Sequence, residues 1–102
     1  MNLDNQYGII KNLVIDYIEK EGDVIPLHIK SNPDDMEHVK NIATSILCTK
    51  WKIGYPGGSF VESVINNDLM GAFMKADTTN RDCMYFYVKL IYNISRPNSL
   101  DK

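Results

Sequence analysis

The chain has 102 residues, which is enough for one compact domain with one core and too few for two. Hydrophobic residues make up 44% and charged residues 24%, a globular composition that argues against intrinsic disorder. The formal net charge of −2 supplies no basic field to neutralise phosphates, so a nucleic-acid-binding protein is disfavoured.

The two cysteines indicate a reducing compartment. Cys48 and Cys83 lie in helical patterns beside apolar residues, and no Cys/His spacing typical of zinc accompanies them, so we expect buried thiols. The first residues lack the pattern of a signal peptide, and no segment approaches the roughly 20 apolar residues of a transmembrane helix. We therefore expect a cytoplasmic protein without membrane contact, cofactor or metal.

The first half of the chain predicts two helices and a connector. Apolar residues recur at helical spacing over 4–21, with Asp4 as a capping residue and Gly22 as the end. Residues 23–31 contain Pro26 and lack this period, which predicts an extended connector able to pair as an edge strand. Asn32 as a cap and Pro33 at the first helical position predict a second helix over 33–50.

The second half predicts two more helices after a break. Proline and glycines exclude a continuous helix over 51–58. Ser59 can cap a third helix over 60–76, and a fourth is expected over 78–94. The fold class is thus all-α: a compact bundle of about four helices forming one domain, 1–94, with a flexible tail, 95–102.

Two polar residues interrupt the apolar faces of the third and fourth helices. A helical-wheel count places Asp68 in the middle of one inner face and Asn80 on the other, so the two side chains can meet where these helices pack. A buried carboxylate needs a partner or a wet cavity. A structural hydrogen bond and a functional site are both compatible with this pattern.

A second stripe on the fourth helix contains Arg81, Tyr85, Val88 and Tyr92. Tyrosines and a valine are unusual on a solvated stripe, whereas Tyr and Arg are enriched where partners bind. Packing against the first helix is one interpretation. A self-association interface formed by Tyr85, Val88 and Tyr92 is the other.

The glycine turn, Gly57-Gly58-Ser59, is the best candidate for an anion site. Its backbone N–H groups would lie at the positive end of the third helix, and Lys50, Lys52 and Arg81 would add charge. No Lys-Ser/Thr follows the glycines, so the turn is not a P-loop. Taken alone, the pattern fits a plain turn with a helix cap better than a phosphate site.

Catalytic groups are scarce. His28 and His38 show no spacing to a carboxylate, a nucleophile or a second metal ligand. Ser59 and Ser63 have no evident base. We therefore predict that the protein is not an enzyme.

Residues 51–94 carry a pattern that resembles a family of small, mostly uncharacterised phage and prophage proteins. The pattern is Gly54-x-Pro56-Gly57-Gly58-x-Phe60, Asn67-Asp68-Leu69-x-x-Ala72-Phe73, Ala76-Asp77-x-x-Asn80-Arg81 and Leu90-Ile91-Tyr92-Asn93. The sequence departs from the family in an inserted Ser59 and in Ile94-Ser95 after the last motif. The resemblance implies a phage origin and action in the cytoplasm of a bacterial host.

Small non-enzymatic phage proteins commonly counter host defences, and this setting yields the leading hypothesis. The chain would self-associate and sequester a small anionic ligand of the nucleotide type. Its ligand-binding residues would be Gly57, Gly58, Ser59, Asn67, Asp68, Asn80 and Arg81. Two alternatives stand beside it: an interaction module that inhibits a host or defence protein, and a small structural domain without a ligand.

Overall fold

Seven α-helices and two 3₁₀ turns make up the fold in the computed structural model, which describes residues 2–101. The helices are α1 Leu3–Glu21, α2 Leu27–Lys30, α3 Pro33–Lys50, α4 Ser59–Ile65, α5 Leu69–Lys75, α6 Thr78–Asp82 and α7 Met84–Asn93. The 3₁₀ turns are Gly22–Val24 and Asn98–Asp101. No strand occurs among the described residues, so the all-α prediction is confirmed, whereas the number of helices exceeds the predicted four.

The two long helices begin at asparagine caps. The Asn2 side chain accepts a hydrogen bond from the Asn5 amide, so Asn2 caps α1 instead of the predicted Asp4, which lies in the first turn of the helix. The Asn32 side chain accepts from the amides of Asp34 and Asp35, and Pro33 occupies the first turn of α3 as predicted. α1 and α3 pack against each other.

One hydrophobic core joins all parts of the described chain. Its largest fully buried apolar side chains come from α1, the connector, α3, α7 and the C-terminal segment: Ile10, Val14, Ile25, Ile29, Val39, Ile46, Leu47, Phe86, Tyr87, Leu90 and Leu100. Phe86 and Tyr87 pack edge-on, with ring centroids 5.9 Å apart, at the centre of this cluster. The radius of gyration is 13.0 Å, as expected for about 100 residues in one body.

The predicted extended connector, 23–31, is helical instead. Gly22–Val24 forms a 3₁₀ turn and Leu27–Lys30 forms one turn of α-helix, with Pro26 at the residue before it. Ile25 and Ile29 are buried here. A proline at a helix start is favourable because its missing N–H would have had no partner within the helix, so Pro26 begins α2 rather than excluding it.

The predicted third and fourth helices are each divided. Asn67 adopts a left-handed backbone conformation, φ 59°, which separates α4 from α5. Cys83, at φ −102° and ψ 10°, separates α6 from α7. Residues 60–76 and 78–94 are therefore not the two continuous helices that the apolar spacing predicted.

The segment predicted as a flexible tail is packed onto the domain. Leu100 is buried, and its carbonyl accepts a hydrogen bond from Gln6 Nε2 of α1. Arg96 donates two hydrogen bonds to the Asp101 carboxylate, at 2.7 and 2.8 Å, which closes the segment on itself. Lys102 lies outside the described residues.

Within residues 2–101, no helix is long and apolar enough to cross a membrane.

Candidate functional site

The glycine turn packs against α3, and this packing uses the amide expected to bind an anion. The Gly57 N–H donates to the Thr49 hydroxyl of α3 at 2.8 Å. A Cβ at position 57 would lie 2.6 Å from Ser45 Oγ and 2.7 Å from Val61 Cγ1, so only glycine fits. Gly57 therefore has a structural role that explains its presence without a ligand.

The cap of α4 also differs from the prediction. Gly58, with an extended backbone, occupies the N-cap position and provides no side chain, whereas Ser59 is the first helical residue. Ser59 is exposed. The turn leads into a helix of seven residues, and one of the three predicted anion donors already has a protein partner.

Asn67 and Asp68 form the break between α4 and α5. The Asp68 carboxylate accepts a hydrogen bond from the Gly71 amide at 3.0 Å and thereby caps α5. Asp68 is exposed, so the helical-wheel placement of a carboxylate in a buried face is wrong. That placement assumed a continuous helix, and the left-handed Asn67 rotates the following residues out of register.

Asn80 is buried, but its partner is Tyr87 rather than Asp68. Its Oδ1 accepts a hydrogen bond from the Tyr87 hydroxyl at 2.7 Å, and its backbone amide donates to Asp77 Oδ1 at the same distance. Burial, the largest cause, raises the pKa of the Tyr87 hydroxyl, which therefore stays protonated and donates. Arg81, the next residue along, is exposed on α6.

Both cysteines are buried free thiols, as predicted. Burial raises the pKa of Cys83 to about 12, and the nearby carboxylates of Asp82, Asp35 and Asp77 act in the same direction. Burial also raises the pKa of Cys48. A thiol whose pKa is raised carries little thiolate at neutral pH, so neither cysteine has the electrostatics of a nucleophile.

The two histidines do have carboxylate partners, which the sequence spacing did not predict. His28 Nε2 lies 3.2 Å from Asp82 Oδ2, and His38 Nε2 lies 3.0 Å from Asp77 Oδ2. These contacts hold the two ends of α6 against α2 and α3. No group of three or more potential metal ligands occurs among residues 2–101.

A groove lies between α4, α5 and α7, with a volume of about 230 Å³. Its walls are mostly apolar and consist of Val64, Ile65, Asn67, Leu69, Val88, Ile91 and Tyr92. Val88 and Tyr92 of the predicted interface stripe are therefore brought together here, whereas Tyr85 is not part of the lining. Tyr85 instead lies under the Lys89 ammonium, 5.7 Å from the ring centroid.

α5 presents an apolar face beside this groove that the sequence analysis missed. Met70 and Met74 are each 81% exposed, and Leu69 and Phe73 are each 44% exposed. At 100° per residue these four side chains span one continuous arc of the helix, and Leu69 continues it into the groove. We call the four α5 side chains together with Tyr92, which is 77% exposed, the α5 face.

The signal for the α5 face was present in the sequence but was assigned to the core. Leu69 and Phe73 keep the apolar spacing of the single helix predicted over 60–76, and that spacing places Met70 and Met74 outside its inner face. The break at Asn67 changes this assignment because it leaves only Ala72 of α5 fully buried.

A second concavity, of about 320 Å³, lies on another side of the molecule, between the start of α1, α3 and the loop before the glycine turn. It is lined by Leu3, Tyr7, Ser45, Cys48, Ile53, Gly54 and Tyr55. Of the seven residues predicted to bind a ligand, only Asn67 lines either of these two cavities.

Comparison of the chain with protein-family models, with curated proteins and with solved structures gives no match. The resemblance to small phage proteins, the counter-defence role, the nucleotide-type ligand and the absence of enzymatic activity therefore stay predictions.

Proposed function

We propose that this chain is a non-enzymatic protein-binding module that acts through the α5 face and the adjoining groove. The observation that carries the proposal is a surface helix with almost no polar side. Of the seven residues of α5, only Lys75 is charged, and the two methionines point into solvent. A helix that is apolar on nearly all sides is normally covered by protein or by lipid.

The size and chemistry of the surface favour a protein partner. Taking roughly 200 Å² for a fully exposed side chain of this size, the five side chains of the α5 face present about 650 Å². The largest apolar patch on a typical monomer is roughly 300–600 Å². Methionine side chains adapt to different contours, and tyrosine is enriched at protein interfaces, so this composition suits a protein contact.

The groove forms a recess next to the protruding side chains of the α5 face. Met70 and Met74 protrude, whereas Val88, Ile91 and Leu69 line the neighbouring recess. Energetically important contacts in protein complexes concentrate where a side chain fills such a recess. Host or defence proteins are the partners to test besides the chain itself, because small non-enzymatic phage proteins commonly counter host defences.

Site-specific photocrosslinking tests this function. A photoreactive amino acid replaces Met74 in the full chain, and the matched control carries it at Glu19, an exposed residue of α1. Irradiation in bacterial cells is expected to give a protein adduct of defined mass from position 74 only. The adduct should disappear when Met70→Glu is added. Equal labelling at positions 74 and 19, or adducts unaffected by Met70→Glu, would contradict the proposal.

A further inference from the structure

We infer that this chain also binds a small molecule that joins an aromatic ring to an anionic group, at a site separate from the α5 face. The site consists of the cavity of about 320 Å³ described above and a smaller recess of about 160 Å³. Cys48 and Gly54 line both, so the two spaces adjoin. None of the lining residues belongs to the α5 face, and the inference is therefore independent of the proposed function.

The larger cavity suits a flat aromatic ring. Tyr7 of α1 and Tyr55 of the loop before the glycine turn line it and are 42% and 93% exposed, so both rings have free surface for a ligand. Leu3 and Ile53 add aliphatic walls. Aromatic rings pack against one another in stacked or edge-on geometries, and ligand pockets are mostly apolar, with volumes of about 300–1,000 Å³. A cavity at the lower end of this range fits a ligand of one or two rings.

The smaller recess suits an anion. Lys52 and Thr49 both line it. Lys52 is exposed and forms no ion pair with a carboxylate of residues 2–101. The Thr49 hydroxyl oxygen accepts a hydrogen bond from the Gly57 amide at 2.8 Å, which leaves its own hydrogen to donate. An ammonium and a hydroxyl donor in one recess are complementary to a carboxylate or a phosphate.

The walls of the site are free of acidic residues. The chain contains 13 Asp and Glu against 11 Lys and Arg, yet no Asp or Glu lines the cavity or the recess. The loop is also held against α3 before any ligand binds, because the Lys52 amide donates to the Thr49 carbonyl at 3.2 Å and the Ile53 amide to the Cys48 carbonyl at 2.8 Å. A preformed site loses little affinity to ordering. The anionic group of the ligand therefore lies at Lys52 and its ring against the tyrosines.

Fluorescence titration of the purified full chain with anilinonaphthalene sulfonate tests the inference. This dye joins aromatic rings to an anion, and its emission rises in apolar surroundings. Saturable binding is expected below ~1 mM dye. Tyr55→Ala should weaken binding about tenfold because a ring contact is lost. Tyr85→Ala, which removes an exposed tyrosine outside the site, should leave it unchanged. Circular dichroism establishes that each variant is folded.

Lys52→Asn tests the position of the anion. Asparagine tolerates the left-handed backbone of residue 52, φ 59°, so the substitution removes the charge without straining the loop. The dye should bind this variant about fivefold more weakly. Phenylnaphthylamine, the same ring system without the sulfonate, should bind the variant and the wild type equally. Lys20→Asn, an exposed control on α1, should change the binding of neither compound.

Displacement of the dye distinguishes the two kinds of anion. Naphthoate and naphthyl phosphate share a ring and differ in the charged group, so the better competitor identifies a carboxylate or a phosphate as the preferred anion. Displacement by neither compound would overturn the inference. Dye fluorescence that does not saturate, or an effect of Lys52→Asn no larger for the charged dye than for the uncharged one, would also overturn it. Loss of dye binding in Met74→Glu but not in Tyr55→Ala would place the dye on the α5 face, which would remove this site and leave the proposed function intact.

Discussion

At the scale of single residues, the Tyr87–Asn80 hydrogen bond shows how the structure satisfies its buried polar groups. The apolar spacing correctly indicated that Asn80 is a polar residue on an inner face, yet it suggested Asp68 as the partner. Tyr87 fits the apolar spacing of the same face, and spacing alone does not identify its hydroxyl as the donor. Its hydroxyl meets Asn80 because the two residues are seven positions apart and the chain turns at Cys83 between them.

Removing the Tyr87 hydroxyl should destabilise the fold. Tyr87→Phe leaves the buried Asn80 Oδ1 without its donor, so the free energy of unfolding should fall by about 1–3 kcal/mol. Urea denaturation followed by circular dichroism measures this change. Tyr92→Phe, which alters an exposed tyrosine, serves as the control and should shift stability by less than about 0.5 kcal/mol. Equal stabilities for the two variants would show that the hydrogen bond contributes nothing.

At the scale of elements, helix starts were easier to predict than helix interruptions. Asn32 followed by Pro33 specifies a start through local hydrogen bonding and a fixed φ, so the beginning of α3 was predicted correctly. Asn66-Asn67-Asp68 also favours a turn and a cap, because Asn tolerates positive φ and Asp accepts from the backbone. The apolar residues on both sides of this turn keep helical spacing. That longer pattern led to the prediction of one continuous helix despite the local turn signal.

The glycine turn presents a similar competition between two interpretations. Glycines before a helix suit both a ligand and a close contact with another element, and spacing alone does not separate the two. The contact with α3 depends on Thr49 and Ser45. These residues belong to a different element from the turn and come beside it only when the chain folds. The sequence could therefore locate the turn but not the partner of its amide.

Adding a methyl group at Gly57 should loosen the contact between α3 and α4. The new Cβ would lie 2.8 Å from Val61 Cβ, an atom that cannot move without its helix, so Gly57→Ala should cost about 1–3 kcal/mol. Gly8→Ala, within α1, makes the same chemical change in open space. It should instead stabilise by about 0.5–1 kcal/mol, because alanine favours a helix interior. Thermal or urea denaturation compares the two, and a loss at Gly8 as large as that at Gly57 would refute the packing argument.

At the scale of the whole molecule, the C-terminal segment completes the core. The polar composition of 95–102 predicted a flexible tail, but one apolar residue, Leu100, is enough to anchor it. Hydrogen bonds hold the segment in place as well: Arg96 donates to Asp101, and Gln6 donates to the Leu100 carbonyl. Composition averages over a segment and so does not reveal a single anchoring side chain.

Leu100→Ala should therefore affect the stability of the entire domain. Loss of a fully buried leucine typically costs about 2–5 kcal/mol, and one transition should shift as a whole because Leu100 belongs to the single core. Ser99→Ala, an exposed neighbour in the same turn, is the control and should change stability little. A Leu100→Ala protein with an unchanged urea midpoint would show that the segment is not part of the cooperative unit.

The exposed thioethers of α5 also make its surface chemically vulnerable. Met70 and Met74 are each 81% exposed, whereas Met84 in the core is 4% exposed, so an oxidant reaches the surface pair first. Conversion to the sulfoxide turns a flexible apolar side chain into a polar one. Mild oxidation would thus make the exposed surface of α5 polar while the interior keeps its packing. Methionine sulfoxide reductases would restore the thioethers and with them the apolar surface.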